Sequence, residues 1–133
     1  MRRQTPSAPD IRLQKTFLVI EDDPDSRDAF CALIQIKGHD AVGVENGQDA
    51  LAFLRTHPLP SAIVLDMRMP IMDGWQFRQI QCSDPLLKDI PVLVVSAEER
   101  FKQPVLDSGV AGFIEKPIDP DALLLALDSL PDH

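Results

Sequence analysis

From Lys15 onward, short apolar runs alternate with stretches of helical spacing. Phe17-Leu-Val-Ile20 is continuously apolar, the pattern of a strand covered on both faces. It stops at Glu21-Asp22-Asp23, and Asp23-Pro24 reads as an N-cap followed by proline at the first helical position. Phe30, Leu33, Ile34 and Lys37 follow at helical spacing, and Gly38 supplies the stop. A short strand is expected over Ala41 to Val44. Asn46 then caps a second helix with Ala50, Leu51 and Leu54 on one face. After the turn around Pro58 and Pro60, Ala62 to Leu65 forms another buried-type strand, ending at Asp66. The loop Met67 to Gly74 leads into a helix holding Trp75, Phe77 and Ile80. Pro91 to Val95 is a fourth strand ending at Ser96.

A weak helix is expected from about Ala97 to Ser108, and it contains Pro104. Proline inside a helix costs on the order of 3 kcal/mol, so this helix should be short, kinked or partly unwound. Gly112 to Glu115 is a fifth strand. Asp119-Pro120 repeats the cap-plus-proline signal before a last helix, Asp121 to Leu130. Leu123, Leu124 and Leu125 are consecutive, so an amphipathic helix must leave at least one of them exposed, a possible partner or dimer surface.

Five strands alternating with five helices define an α/β fold with a parallel sheet and right-handed crossovers. The expected arrangement is flavodoxin-like and doubly wound, with strand order 2-1-3-4-5. Residues 1–14 hold Arg2, Arg3, Pro6 and Pro9 without periodicity and read as a flexible arm, leaving residues 15–131 as one domain.

Composition adds limits. A chain of 133 residues, 44% hydrophobic and 26% charged, suits one globular domain. No apolar run approaches the roughly 20 residues a bilayer requires, and Met1 to Gln14 lacks the apolar stretch of an export signal. A cytoplasmic location is therefore expected. The net charge of −8 argues against non-specific nucleic-acid binding and favours basic or mixed protein surfaces as partners. Cys31 and Cys82 have neither metal-ligand spacing nor a redox motif and read as small buried apolar residues of helices.

In such a sheet, ligands bind beyond the carboxyl ends of the strands where the strand order reverses. Glu21, Asp22 and Asp23 follow strand one, Asp66 ends strand three, Ser96 ends strand four and Lys116 follows strand five. Crowded carboxylates repel unless a cation neutralises them. Mg²⁺ suits the task, because it takes one or two carboxylates together with water and phosphate oxygens. Asp66 would then act as nucleophile on phosphorus, with the metal, Lys116 and Ser96 holding the phosphoryl oxygens. Each residue alone has a plain alternative as a cap, turn or surface residue.

Four blocks resemble the receiver domains of response regulators, over about residues 16–131. They are Phe17-Leu-Val-Ile-Glu-Asp-Asp-Pro24, Ile63-Val-Leu-Asp-Met-Arg-Met-Pro-Ile-Met-Asp-Gly74, Ile90-Pro-Val-Leu-Val-Val-Ser-Ala97 and Gly109-Val-Ala-Gly-Phe-Ile-Glu-Lys-Pro117. The resemblance implies Asp66 as phosphoacceptor. It implies Mg²⁺ held by Asp22 and Asp66 directly, by Glu21 through water and by the main-chain carbonyl of Arg68. It assigns Asp23 to the helix cap rather than the metal, and Lys116 to the phosphoryl group, with a cis Lys116–Pro117 peptide. Ser96 and Phe113 match the switch hydroxyl and aromatic. Arg68 and Glu98 match positions that flank the access route of water, and their opposite charges suggest a pair that slows hydrolysis. The segment Ser96 to Lys116 looks about two residues shorter than is usual, which bears on the signalling face around the fourth helix.

The implied function is that of a stand-alone receiver. It would take a phosphoryl group from a histidine kinase or histidine phosphotransfer protein and signal by binding a downstream protein or by onward phosphotransfer. Dimerisation would use helix four, strand five and helix five. Two alternatives stay open: an unphosphorylated scaffold, and a phosphohydrolase using Asp66. The second lacks the acidic residue expected two positions after the nucleophile, where Arg68 stands.

Overall fold

The computed structural model describes residues 15–131, so the expected arm over residues 1–14 lies outside the described residues. Strands β1 (Thr16–Ile20), β2 (Asp40–Val44), β3 (Ala62–Asp66), β4 (Val92–Ser96) and β5 (Gly112–Glu115) form one parallel sheet. Its order is β2-β1-β3-β4-β5, the doubly wound order expected. The helices are α1 (Pro24–Ile36), α2 (Gly47–Thr56), α3 (Gly74–Ser83), α4 (Lys102–Asp107) and α5 (Pro120–Asp128).

Strand periodicity distributes the core. Phe17 and Val19 of β1 face Phe30 and Ile34 of α1 and Leu123 and Leu127 of α5. Leu18 and Ile20 face the other way, into a core with Leu51 and Leu54 of α2, Phe77 of α3 and Val105 of α4. Each fully buried side chain of this size is worth roughly 1.5–3 kcal/mol, so the three central strands carry most of the driving force. β2 and β5 lie at the sheet edges and are less covered.

Local signals set the ends of the helices. The Asp23 carboxylate accepts the Ser26 N–H at 2.9 Å, with Pro24 at the start of α1. Gly38, at φ +89°, takes the left-handed position just past the helix, where a Cβ would be strained. Asn46 caps α2 through the Asp49 N–H. Asp73 and Gln76 form a reciprocal capping box at α3.

The fourth helix differs from the expected span of Ala97 to Ser108. A 3₁₀ turn occupies Glu99–Phe101, and α4 keeps only six residues. The shortening resolves the conflict over Pro104. As third residue of the helix it sits where backbone N–H groups have no helical acceptor, so its missing donor costs little. The last helix also ends two residues early, at Asp128, although Leu130 stays buried. Of its three consecutive leucines, Leu123 is buried and Leu125 is 68% exposed, as an amphipathic helix requires. The reading of both cysteines as buried does not hold. Cys31 is half-buried on α1, whereas Cys82 is exposed near the end of α3, off the buried face of Phe77, Arg78 and Gln81.

Candidate functional site

β1 and β3 are neighbours, and their register pairs Ile20 with Leu65. The next residues, Glu21 and Asp66, therefore emerge side by side at the carboxyl edge of the sheet. Glu21 N–H still bonds to Val44 O at 3.0 Å, and the Glu21 carbonyl accepts from the Arg27 guanidinium at 2.9 Å. Both contacts fix its backbone. Carboxylate oxygens of Glu21, Asp22 and Asp66 come within 4.8 Å of one another. Glu21 is 1% exposed and Asp66 4% exposed, while Asp22 faces solvent.

Lys116 enters from β5. Its N–H donates to Ser96 O at 2.8 Å, and the Lys116–Pro117 peptide is cis, as the resemblance implied. The ammonium donates to Glu21 Oε1 at 2.7 Å and stands 3.5 Å from Asp66 Oδ2. Burial opposes the charge on Lys116, but the Glu21 hydrogen bond and the Asp66 and Glu21 charges outweigh it and hold its pKa above the usual value. Burial also raises the pKa of Glu21. The Lys116 bond works the other way, the Asp66 carboxylate adds to the rise, and the net shift is upward. Asp22 is raised by burial and by Glu21. Asp23 behaves differently: its bond to Ser26 lowers its pKa, as its cap role demands. Three carboxylates against one ammonium leave the pocket with surplus negative charge.

Ser96 is fully buried at the end of β4, with its hydroxyl accepting the Glu98 N–H at 3.1 Å. Phe113 pairs with Val94 across the sheet and packs, half-buried, against the core beneath α2, α3 and α4. The Arg68 N–H donates to Asp66 Oδ1 at 3.1 Å, and the Arg68 guanidinium forms an ion pair with Glu98. Glu21, Asp22, Asp66, Ser96 and Lys116 thus lie at the carboxyl ends of their strands, whereas Phe113 lies within β5.

Three features were not anticipated. Glu98 also accepts from Arg100 Nε at 2.6 Å, so one carboxylate joins two guanidinium groups. Arg100 lies over the Phe101 ring at 5.0 Å, and Phe101 meets Trp75 edge-on with centroids 6.0 Å apart. These residues wall a groove of about 650 Å³ that also touches Asp22. Ile71 sits at the tip of the β3–α3 loop with φ +69° and its side chain exposed, in a three-residue turn closed by Met72 N–H to Pro70 O at 2.7 Å. A β-branched residue in that region is strained. These contacts join residues distant in sequence or depend on loop shape. Only the Asp73-x-x-Gln76 capping box left a local signal.

A parallel α/β sheet in this order, with an acidic cluster at its topological switch point, defines a doubly wound domain with a cation-compatible site. The response regulator receiver domain family matches residues 17–128, and the chain belongs to that family. It is 32% identical over 113 residues to an uncharacterised 14.6 kDa protein of Leptolyngbya boryana, covering 84% of this chain and 86% of that one. It is 30% identical over 112 residues to the polar-differentiation response regulator DivK of Brucella anthropi, covering 80% and 87%. Among solved structures, the chemotaxis response regulator CheY4 of Vibrio cholerae superimposes with a TM-score of 0.79 at 26% identity, covering 86% of this chain and 97% of that one. Among the described residues, no helix is long and apolar enough to cross a membrane.

Proposed function

We propose that the domain over residues 15–131 is a phosphorylation switch that accepts a phosphoryl group on Asp66. The observation that carries this reading is the convergence of Glu21, Asp22 and Asp66 within 4.8 Å, with the Lys116 ammonium bonded to two of them. An Asp66 oxygen attacks the phosphorus of a phosphohistidine on a kinase or phosphotransfer protein. The P–N bond breaks, and the imidazole leaves with the electron pair. Lys116 holds one non-bridging oxygen and Ser96 receives another.

The all-oxygen donor set fits a hard divalent cation. Asp22 and Asp66 would bind Mg²⁺ directly, with the Arg68 carbonyl as a further ligand and Glu21 acting through water. Such an ion would supply charge neutralisation for the phosphoryl oxygens. Ser96 then gives up its bond with Glu98, and Phe113 turns inward. That shift in population remodels the face of α4, β5 and α5. The downstream protein, or a second copy of the chain, binds there. The protein acts in the cytoplasm and is a phosphoacceptor rather than a turnover enzyme. Arg68, held by Glu98, is poorly placed to act as the general acid of a phosphohydrolase.

The Arg68–Glu98 pair narrows the approach of water. Arg68→Ala should accelerate loss of the phosphoryl group several-fold, read as the decay of phosphoprotein; an unchanged decay would remove the pair from this role. The function itself is tested with acetyl phosphate and Mg²⁺. A hydroxylamine-labile adduct, absent in Asp66→Asn, is expected. No adduct would favour a scaffold, and rapid multiple turnover of small phosphates would favour an enzyme.

A further inference from the structure

α3 links the acidic pocket to the far end of α4. Its first residue, Gly74, packs so closely on the pocket loop that a Cβ there would lie 2.7 Å from Met67 Cα, and Gly74 N–H bonds to Met67 O at 3.1 Å. One turn on, α3 carries Arg78, which is only 9% exposed. Its guanidinium donates to Gln81 Oε1 at 2.8 Å and to Ser108 O at 3.1 Å. Ser108 is the C-cap of α4, where carbonyls lack helical partners. Fully buried Gln81 donates in turn to Leu87 O at 3.0 Å and Ile90 O at 3.1 Å, on the approach to β4.

Arg78 has neutral partners only. Among the described residues no carboxylate pairs with it, and its Nε has no hydrogen-bond partner. A buried guanidinium without a carboxylate partner is a poor way to gain stability, since two neutral acceptors only partly offset the cost of burying its charge. What it supplies is direction: one fork ties α3 to the end of a helix too short to be held by its own face. Val105 is the one residue of α4 that is buried.

We infer that Arg78 is a positioning residue that pins the C-terminal end of α4. Within the stretch 97–109, the response to phosphorylation is thereby confined to the part at the helix's other end, residues 97–101. The pin stands on the resting geometry alone, while its consequence for switching rests on the receiver reading. At the other end, the Glu98 N–H donates to the Ser96 hydroxyl and its carboxylate pairs with Arg68 and Arg100, Phe101 meets Trp75 edge-on, and the 3₁₀ turn Glu99–Phe101 has no side-chain cap. At the pinned end, Ser108 N–H and Gly109 N–H close the helix onto Val105 O and Leu106 O.

Hydrogen exchange on the whole chain tests this in two arms. In the resting protein, Arg78→Met should speed exchange at Ser108 and Gly109 on the order of tenfold, the scale of losing a hydrogen bond to a charged group. Exchange in α1 should stay level, and the thermal midpoint should fall only slightly. That split separates a local pin from general support of the fold. If Arg78→Met fails to fold, Arg78→Lys serves, because a single ammonium cannot reproduce the fork. Unchanged exchange at Ser108 and Gly109 overturns the pin. Acceleration spread evenly over the domain overturns it as well.

In the second arm, Mg²⁺ with beryllofluoride stands in for the phosphoryl group. The native chain should change exchange over residues 97–101 and not over 105–109, and Arg78→Met should extend the change into 105–109. A native response already reaching 105–109 refutes the confinement. If neither protein responds to beryllofluoride, the receiver reading and the confinement fall with it, and the pin is decided by the first arm.

Discussion

Two polar clusters lie along α3, one at its first residue and one a turn further on, and they handle charge in opposite ways. At the carboxyl edge of the sheet, Glu21, Asp22 and Asp66 crowd together and, among the described residues, Lys116 is the one cation bonded to them. On the buried face of α3, Arg78 is a cation held by an amide and a carbonyl, with no counter-ion among the described residues. The first cluster is short of positive charge at a rim where Asp22 meets solvent, so an ion can complete it. The second is enclosed, and neutral dipoles meet part of its hydrogen-bonding capacity, leaving Arg78 Nε without a partner. A surplus of charge at an open rim points to a ligand, whereas a lone charge in a sealed one points to a mechanical tie.

Removing the ammonium should have the largest effect. Lys116→Met leaves Glu21 and Asp66 facing each other without compensation. Without Mg²⁺ it should cost about 2 kcal/mol, less than for a fully buried pair because Lys116 retains some exposure. Urea unfolding without divalent cations measures it. A negligible cost would mean that the carboxylates do not need their partner.

Acid dependence comes next. The pKa of Glu21 is raised in the folded state above its ordinary 4.5, so the folded chain holds this proton more tightly than the unfolded one. The stability it lends is fully present below pH 4.5 and is lost as pH rises through the raised value. The stability gap between the native chain and Glu21→Gln, measured without Mg²⁺, should therefore move against the native chain across that window. A gap moving the other way would indicate that Lys116 overcompensates the cluster.

The smallest effect should come from the sealed cluster. Arg78→Met should cost about 1 kcal/mol of global stability, because relief from burying the guanidinium offsets part of the loss of the donor to buried Gln81 Oε1. A loss as large as that of Lys116→Met would show that the two clusters are not opposites, and that Arg78 supports the whole fold.

The two clusters also differ in how far the sequence revealed them. Each pocket residue terminates or follows an apolar strand run, and parallel topology brings such ends to one rim, so Glu21, Asp22, Asp66, Ser96 and Lys116 were legible from periodicity. Pro104 likewise announced the short α4. Arg78 gave no such signal. A charged residue between Phe77 and Ile80 reads as a solvated helix position, and only the tertiary approach of Ser108 encloses it. Cys82 failed for the complementary reason: its residue type suggested burial, while its helical phase placed it in solvent.

The surplus negative charge of the pocket is the central claim, and cation binding tests it most directly. Trp75, the single tryptophan, lines the groove that also touches Asp22. Titration with Mg²⁺, followed by Trp75 fluorescence and by calorimetry, should give saturable one-site binding that Asp22→Asn weakens at least tenfold. Equal affinity in Asp22→Asn, or no saturable binding by the native chain, would contradict the account.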